Sequence, residues 1–144
     1  MQNQCEIKLA DGAQDAPALR HVIDNATIEP ETELATLDAL TLIDRDFVYL
    51  ANIDDEPVGC VMVTRDDNAI VHSLMVVDNW RGQAIASQIL ARSLEHFVQT
   101  RTPTSVWTAV DEQRKGARSR FEAIGFRATG KQVQTLSLLH QTYD

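Results

Sequence analysis

Residues Ile70 to Phe97 read IVHSLMVVDNWRGQAIASQILARSLEHF, and the rest of the chain is arranged around them. Ile70 to Val77 is a strand-like run, largely apolar on both faces, as in a strand covered from both sides. A short polar turn and the segment Arg81-Gly82-Gln83-Ala84-Ile85-Ala86 follow. Apolar residues then recur at helical spacing at Ile85, Ile89, Leu90, Leu94 and Phe97. A strand that passes through a glycine-containing turn straight into a helix gathers unpaired backbone N–H groups at one spot, backed by the positive end of the helix dipole. Such a spot suits an anion, and a phosphate best of all.

Before this stretch, Cys5 to Ala10 reads as a strand closed by a turn at Asp11-Gly12. Asp15 is expected to cap a helix carrying Ala18, Leu19, Val22, Ile23 and Ala26 on one face. Thr27 to Thr32, with Pro30, breaks it before a second helical segment bearing Leu34, Leu37, Leu40, Leu42 and Ile43. Phe47 to Ile53 and Val58 to Thr64 are strands separated by the turn Asp54-Asp55-Glu56-Pro57, and Arg65-Asp66-Asp67-Asn68 leads on to Ile70. Loops this short imply antiparallel hairpins. After the central helix, Ser105 to Val110 is a strand, and a strand–helix–strand crossover puts it parallel to Ile70–Val77. A helix from Asp111, with Ala117, Phe121 and Ile124 on one stripe, ends at Gly125. Phe126 to Thr129 and Val133 to His140 form a closing hairpin around Gly130-Lys131.

With 144 residues and 44% of them hydrophobic, the chain is expected to be a single domain, residues 1–144, with a substantial core. A net charge of −8 without any Lys/Arg block argues against nucleic acid as partner. No apolar run approaches the length of a membrane span and the N-terminus is not signal-like, so the expectation is a cytoplasmic protein without a membrane partner. Cys5 and Cys60 read as thiols, and no metal-ligand set is present.

Two motifs and the element order resemble the GNAT acetyltransferase superfamily. Leu74-x-Val76 followed by Arg81-Gly82-Gln83-Ala84-Ile85-Ala86 is similar to its acetyl-CoA signature, Gln/Arg-x-x-Gly-x-Gly/Ala. Ala117-x-x-x-Phe121-x-x-x-Gly125-Phe126 is similar to its Ala-x-x-x-Tyr-x-x-x-Gly-Phe ending. The resemblance covers nearly the whole chain. It implies an α/β fold with a mixed, mostly antiparallel central sheet of six to seven strands, about four flanking helices, and a parallel pair splayed around acetyl-CoA.

It further implies an N-acetyltransferase that carries the acetyl group from acetyl-CoA to a primary amine by direct attack. The alternative is a catalytically weak acyl-CoA-binding or regulatory domain. The implied cofactor-binding residues are Leu74, Met75, Val76, Arg81, Gly82, Gln83, Ala84, Ile85, Ala86, Ser87 and Phe121, with the Val76 N–H facing the thioester carbonyl. The acceptor is expected to be a small molecule or peptide, cationic if the acidic surface reaches the site. A homodimer is expected through the edge of Val133 to His140.

A lysine-like acceptor is ionised at neutral pH and needs a base. His72 is the candidate general base, since it shares strand parity with Leu74 and Val76 and histidine is the side chain suited to proton transfer near neutral pH. The family's proton donor, a tyrosine, aligns with Phe121, which has no proton to give. Its usual asparagine aligns with Arg114, leaving water, Ser119 or Tyr143 as replacement acids. Ala84 replaces a glycine, harmlessly if its backbone is helical.

Overall fold

The computed structural model describes residues 5–26, 38–66, 69–81, 84–110, 117–128 and 134–137. Gly82, Gln83, Arg114, Tyr143, the Asp67-Asn68 and Gly130-Lys131 turns and most of the connection after the first helix lie outside them. The order is Glu6–Leu9 (β1), Gly12–Asn25 (α1), Ala39–Arg45 (α2), Asp46–Ile53 (β2), Glu56–Thr64 (β3), Ile70–Val76 (β4), Ile85–Arg101 (α3), Trp107–Val110 (β5), Ala117–Ala123 (α4), Arg127–Ala128 (β6) and Gln134–Ser137 (β7). A 3-10 turn at Asp78–Trp80 links β4 to α3.

The strands pair in the order β1-β2-β3-β4-β5-β7-β6. Every pairing is antiparallel except β4 with β5, whose crossover runs through α3. The sheet is covered on both sides, which is why its central strands read as continuous apolar runs. One face packs Phe47, Tyr49, Val61 and Val63 against Ile85, Ile89, Leu90, Leu94 and Phe97 of α3. The other packs Val48, Leu50, Cys60 and Met62 against Leu19, Val22 and Ile23 of α1 and Leu42 and Ile43 of α2. Among the described residues, no helix is long and apolar enough to cross a membrane.

Three local expectations change. Asp15 is not the cap of α1: Asp11 holds that position, and buried Asp15 accepts the Asp11 N–H at 2.7 Å and a Lys8 Nζ hydrogen bond at 3.1 Å. The β2–β3 turn is only Asp54-Asp55, both at positive φ (51° and 67°), the geometry of a two-residue hairpin, so β3 already begins at Glu56. Finally, β7 does not form the edge of the sheet: it lies between β5 and β6, with Leu136 and Ser137 paired to both.

The main irregularity lies in β4. Against β3 it takes three steps, His72 to Met75, where β3 takes two, Met62 to Cys60. The extra residue is accommodated by a bulge in which Ser73 adopts φ +57°. A bulge shifts side-chain alternation by one, so the parity argument for His72 does not hold. His72 stands opposite Met62 on the α1–α2 face, whereas Leu74 and Val76 belong to the α3 face.

Just before the bulge, β4 leaves β5. Their register holds at Ile70↔Trp107 and Val71↔Thr108, and the buried Thr108 hydroxyl donates to the Val71 carbonyl at 3.0 Å where the ladder ends. The Val77 N–H donates to Val58 O at 2.8 Å on the β3 side. Since N–H groups alternate along a strand, that of Val76 points the other way, toward the space vacated by β5.

Two backbone positions set how α3 meets β4. Gly59, opposite Val76, lets the helix sit on the strand: a Cβ there would come within 2.5 Å of both Ile89 Cδ1 and the Met75 carbonyl oxygen. Ala84, the N-cap of α3, is left-handed (φ 61°, ψ 19°), not right-handed helical, so its methyl group is strained where the family pattern has glycine.

Gly59→Ala is therefore expected to cost about 1–3 kcal/mol in urea unfolding, because backbone must move. Ala84→Gly is expected to raise stability by up to ~1 kcal/mol, since relief of ~1–2 kcal/mol of left-handed strain exceeds the added freedom of the unfolded chain. Both follow from denaturation midpoints at unchanged slope.

Candidate functional site

A cavity of about 460 Å³ opens where β4 parts from β5. Leu74 and Val76 line it from the strand, Ala84, Ile85, Ala86 and Ser87 from the start of α3, Trp80 and Arg81 from the preceding turn, and Arg120 from α4. The first residues of α3 have no side-chain cap, and the helical ladder is entered by Gln88 N–H donating to Ala84 O at 3.3 Å. The N–H groups of Ile85, Ala86 and Ser87 thus have no partner within the helix. With the helix dipole behind them and the Arg81 and Arg120 guanidiniums beside them, they favour an anion. Arg81 also pairs with Asp78, at 3.3 Å, and the Trp80 indole donates to Glu56 Oε2 at 2.9 Å, fixing the turn to β3.

Of the residues expected to hold the cofactor, this geometry brings together Leu74, Val76, Arg81, Ala84, Ile85, Ala86 and Ser87. Gly82 and Gln83 lie outside the described residues. The Met75 side chain packs in the opposite core, with Cys60 and Val77. Phe121 is buried and meets Phe126 edge-on, centroids 5.2 Å apart, and is not among the lining residues. Sequence reading missed Trp80 and Arg120. The signal for Arg120 was its place next to Phe121: on a helix, a residue adjacent to one that enters the core is turned well away from it.

On the other face, His72 has both ring nitrogens engaged. Nε2 lies 2.8 Å from Asp46 Oδ2, and Nδ1 lies 2.8 Å from Ser73 Oγ. The Asp46 side chain is only 5% exposed and His72 30%. Arg45 approaches the same Asp46 oxygen at 3.4 Å. Beneath the bulge, the Cys60 thiol donates to the Ser73 carbonyl at 3.9 Å, and burial pushes that thiol up to about 12, so it stays protonated. Asp46 carried no clear signal in the sequence, since an acid just before an apolar run reads as a strand boundary.

The profile of the Acetyltransferase (GNAT) family matches residues 16–126. No curated protein matches the chain significantly. Among solved structures, the chain is similar to the ribosomal-protein-S18-alanine N-acetyltransferase from Escherichia coli, at 16% identity and TM-score 0.71, covering 93% of this chain and 91% of that one. The PaiA N-acetyltransferase from Thermoplasma acidophilum, in complex with coenzyme A, gives 14% identity and TM-score 0.71 over 93% and 96% of the two chains. A GNAT family acetyltransferase from Elizabethkingia anophelis with acetyl-CoA bound gives 15% and 0.66 over 94% and 96%. At these identities the structures speak for the fold. The profile spans most of the sequence and both motifs up to Phe126, and with it the parted strands and the open helix start take their place: this chain belongs to the GNAT acetyltransferase family.

Proposed function

We propose that this protein transfers an acetyl group from acetyl-CoA to a primary amine by direct attack. The observation that carries this reading is the cavity in which the uncapped start of α3 and the outward N–H of Val76 meet in one opening. The donor set fits the cosubstrate. The N–H groups of Ile85, Ala86 and Ser87, with Arg81 and Arg120, suit its pyrophosphate, and the apolar Leu74 and Val76 suit the pantetheine arm. When bound, acetyl-CoA supplies the activated acyl group.

The chain's own residues then have three tasks. The Val76 N–H donates to the thioester carbonyl oxygen as negative charge builds there, a contribution often worth about 3 kcal/mol. His72 serves as the base that takes a proton from the acceptor nitrogen. Proton return to sulfur is not assigned to Phe121, which has none to give, and a thiolate leaves without great difficulty because thiols ionise near pKa 8.5. The acceptor is proposed to be a small-molecule or peptide amine, and the setting cytoplasmic. The second reading is an acyl-CoA-binding domain with little turnover, favoured by two observations, the buried Phe121 and the strained Ala84.

Acetyl-CoA at 100 times its dissociation constant is expected to stabilise the fold by about 2.7 kcal/mol, read as a thermal shift. Free-thiol release over a panel of amines separates the two readings: release above the amine-free rate supports transfer, and binding without release supports the second. Arg120→Ala is expected to weaken acetyl-CoA binding by roughly tenfold, as loss of one partly solvated charge-assisted contact implies. Calorimetry at two salt concentrations checks this, with the smaller salt dependence belonging to the variant.

A further inference from the structure

We propose that Ser73, His72 and Asp46 form a proton relay, in which Ser73 Oγ is the atom that meets the acceptor nitrogen and also returns its proton to the departing sulfur. This rests on the acetyl-transfer reading and adds to it the path of the proton. His72 has no free ring nitrogen: Asp46 Oδ2 takes Nε2 and Ser73 Oγ takes Nδ1, each at 2.8 Å. A carboxylate only accepts hydrogen bonds, so Nε2 carries the proton toward Asp46 and Nδ1 is left as an acceptor for the Ser73 O–H. With both nitrogens so engaged, the proposed route from the amine to the imidazole is indirect. It passes through the Ser73 hydroxyl.

The bulge sets that hydroxyl against His72, at the point where β4 changes face. Ser73 is the left-handed residue between His72, on the α1–α2 face, and Leu74, on the face that lines the cavity. It sits just beyond Val71↔Thr108, the last β4–β5 pair among the described residues. The ionisable groups that the described structure places against the unit are Asp46 at the start of β2, Arg45 at the end of α2 across the Asp46 carboxylate, and Cys60 of β3 beneath the Ser73 carbonyl. Asp46 is a positioning residue: it fixes the tautomer of His72 and balances the charge that His72 gains.

The balance closes for an acceptor that has given its extra proton to solvent and enters as the neutral amine. Ser73 Oγ takes the proton lost by the acceptor nitrogen while its own proton passes to His72 Nδ1. The N–C bond forms and the C–S bond breaks. His72 Nδ1 then returns its proton to Ser73 Oγ, which releases one to the thiolate, and the relay ends as it began. One path thus does the work of a base and of the acid that is missing at Phe121.

The test has a structural and a kinetic arm. Side-chain nitrogen NMR of the wild-type protein without ligand is expected to show neutral His72 as the Nε2–H tautomer, and to show that preference lost in Asp46→Asn. An Nδ1–H tautomer in the wild type overturns the relay whatever the activity, and does so even if every variant fails to fold. In the kinetic arm, thiol release with an amine is expected to fall by 10²-fold or more in Ser73→Ala and in His72→Ala, with no further loss in the double variant. The acid limb of the wild-type pH profile is expected to vanish in both, while the acetyl-CoA thermal shift is retained. Variants that turn over at the wild-type rate, additive losses, or a stable acetyl group on Ser73 in mass spectrometry overturn the relay and leave acetyl transfer standing. A wild type that binds acetyl-CoA but releases no thiol with any amine overturns the transfer reading, and the relay with it.

Discussion

The extra residue in β4 is the constraint on which the site depends. It follows directly on the last β4–β5 pair, and among the described residues no strand pairing uses the Val76 N–H. The pairing ends at Val71↔Thr108, the Thr108 hydroxyl satisfies the Val71 carbonyl, and the backbone beyond turns its donors to open space. The conformation is costly, since serine at φ +57° lies in a region that residues with a Cβ seldom occupy. It persists because both sides of β4 are held: Val71 and Val76 lie in the α3 core, and Met75 and Val77 in the α1–α2 core.

The same device divides the work between the two faces of the sheet. After the bulge, Leu74 and Val76 look toward α3 and the uncapped helix start, where charge complementarity favours an anion. Before it, His72 looks the other way, toward Asp46. The opening that favours an anion and the His72–Asp46 pair thus lie on opposite faces, and Ser73 is the turning point between them. Gly59 contributes from the neighbouring strand, because only a residue without a Cβ lets Ile89 of α3 rest on β3 opposite Val76.

Much of this was legible in the sequence because the relevant signals are local or periodic. The helical stripe Ile85, Ile89, Leu90, Leu94 and Phe97 is buried as its spacing required, and the crossover through α3 does yield a parallel β4–β5 pair. What could not be read was any departure from periodicity. Ser73 looks like an ordinary strand residue, so the change of face between His72 and Leu74 has no signature in the pattern. Asp54-Asp55 and Ala84 take positive φ without glycine. Asp46 and His72 are 26 positions apart, and only the register of β2, β3 and β4 brings them together. Asp15 was recognised as a helix-start acid, but its bond to the Asp11 N–H four residues back gives it a different place in the cap.

Helix α4 shows how a familiar motif is put to different use. Apart from Phe121, the pattern that ends at Gly125-Phe126 is kept, and its backbone behaves accordingly: Gly125 takes φ +113° and the Phe126 N–H returns to Phe121 O at 3.2 Å. That return brings the Phe126 ring against Phe121, and the pair closes the lower end of the α3-side core. An aromatic ring so placed contributes packing, and a hydroxyl on it would need a partner to offset its desolvation. The neighbouring Arg120, turned away from that core by the helical step, faces the cavity instead. α4 thus turns a positive charge to the cavity and an aromatic ring to the core. The proposed relay accordingly places proton transfer on β4, where His72 is held between a buried carboxylate and a hydroxyl.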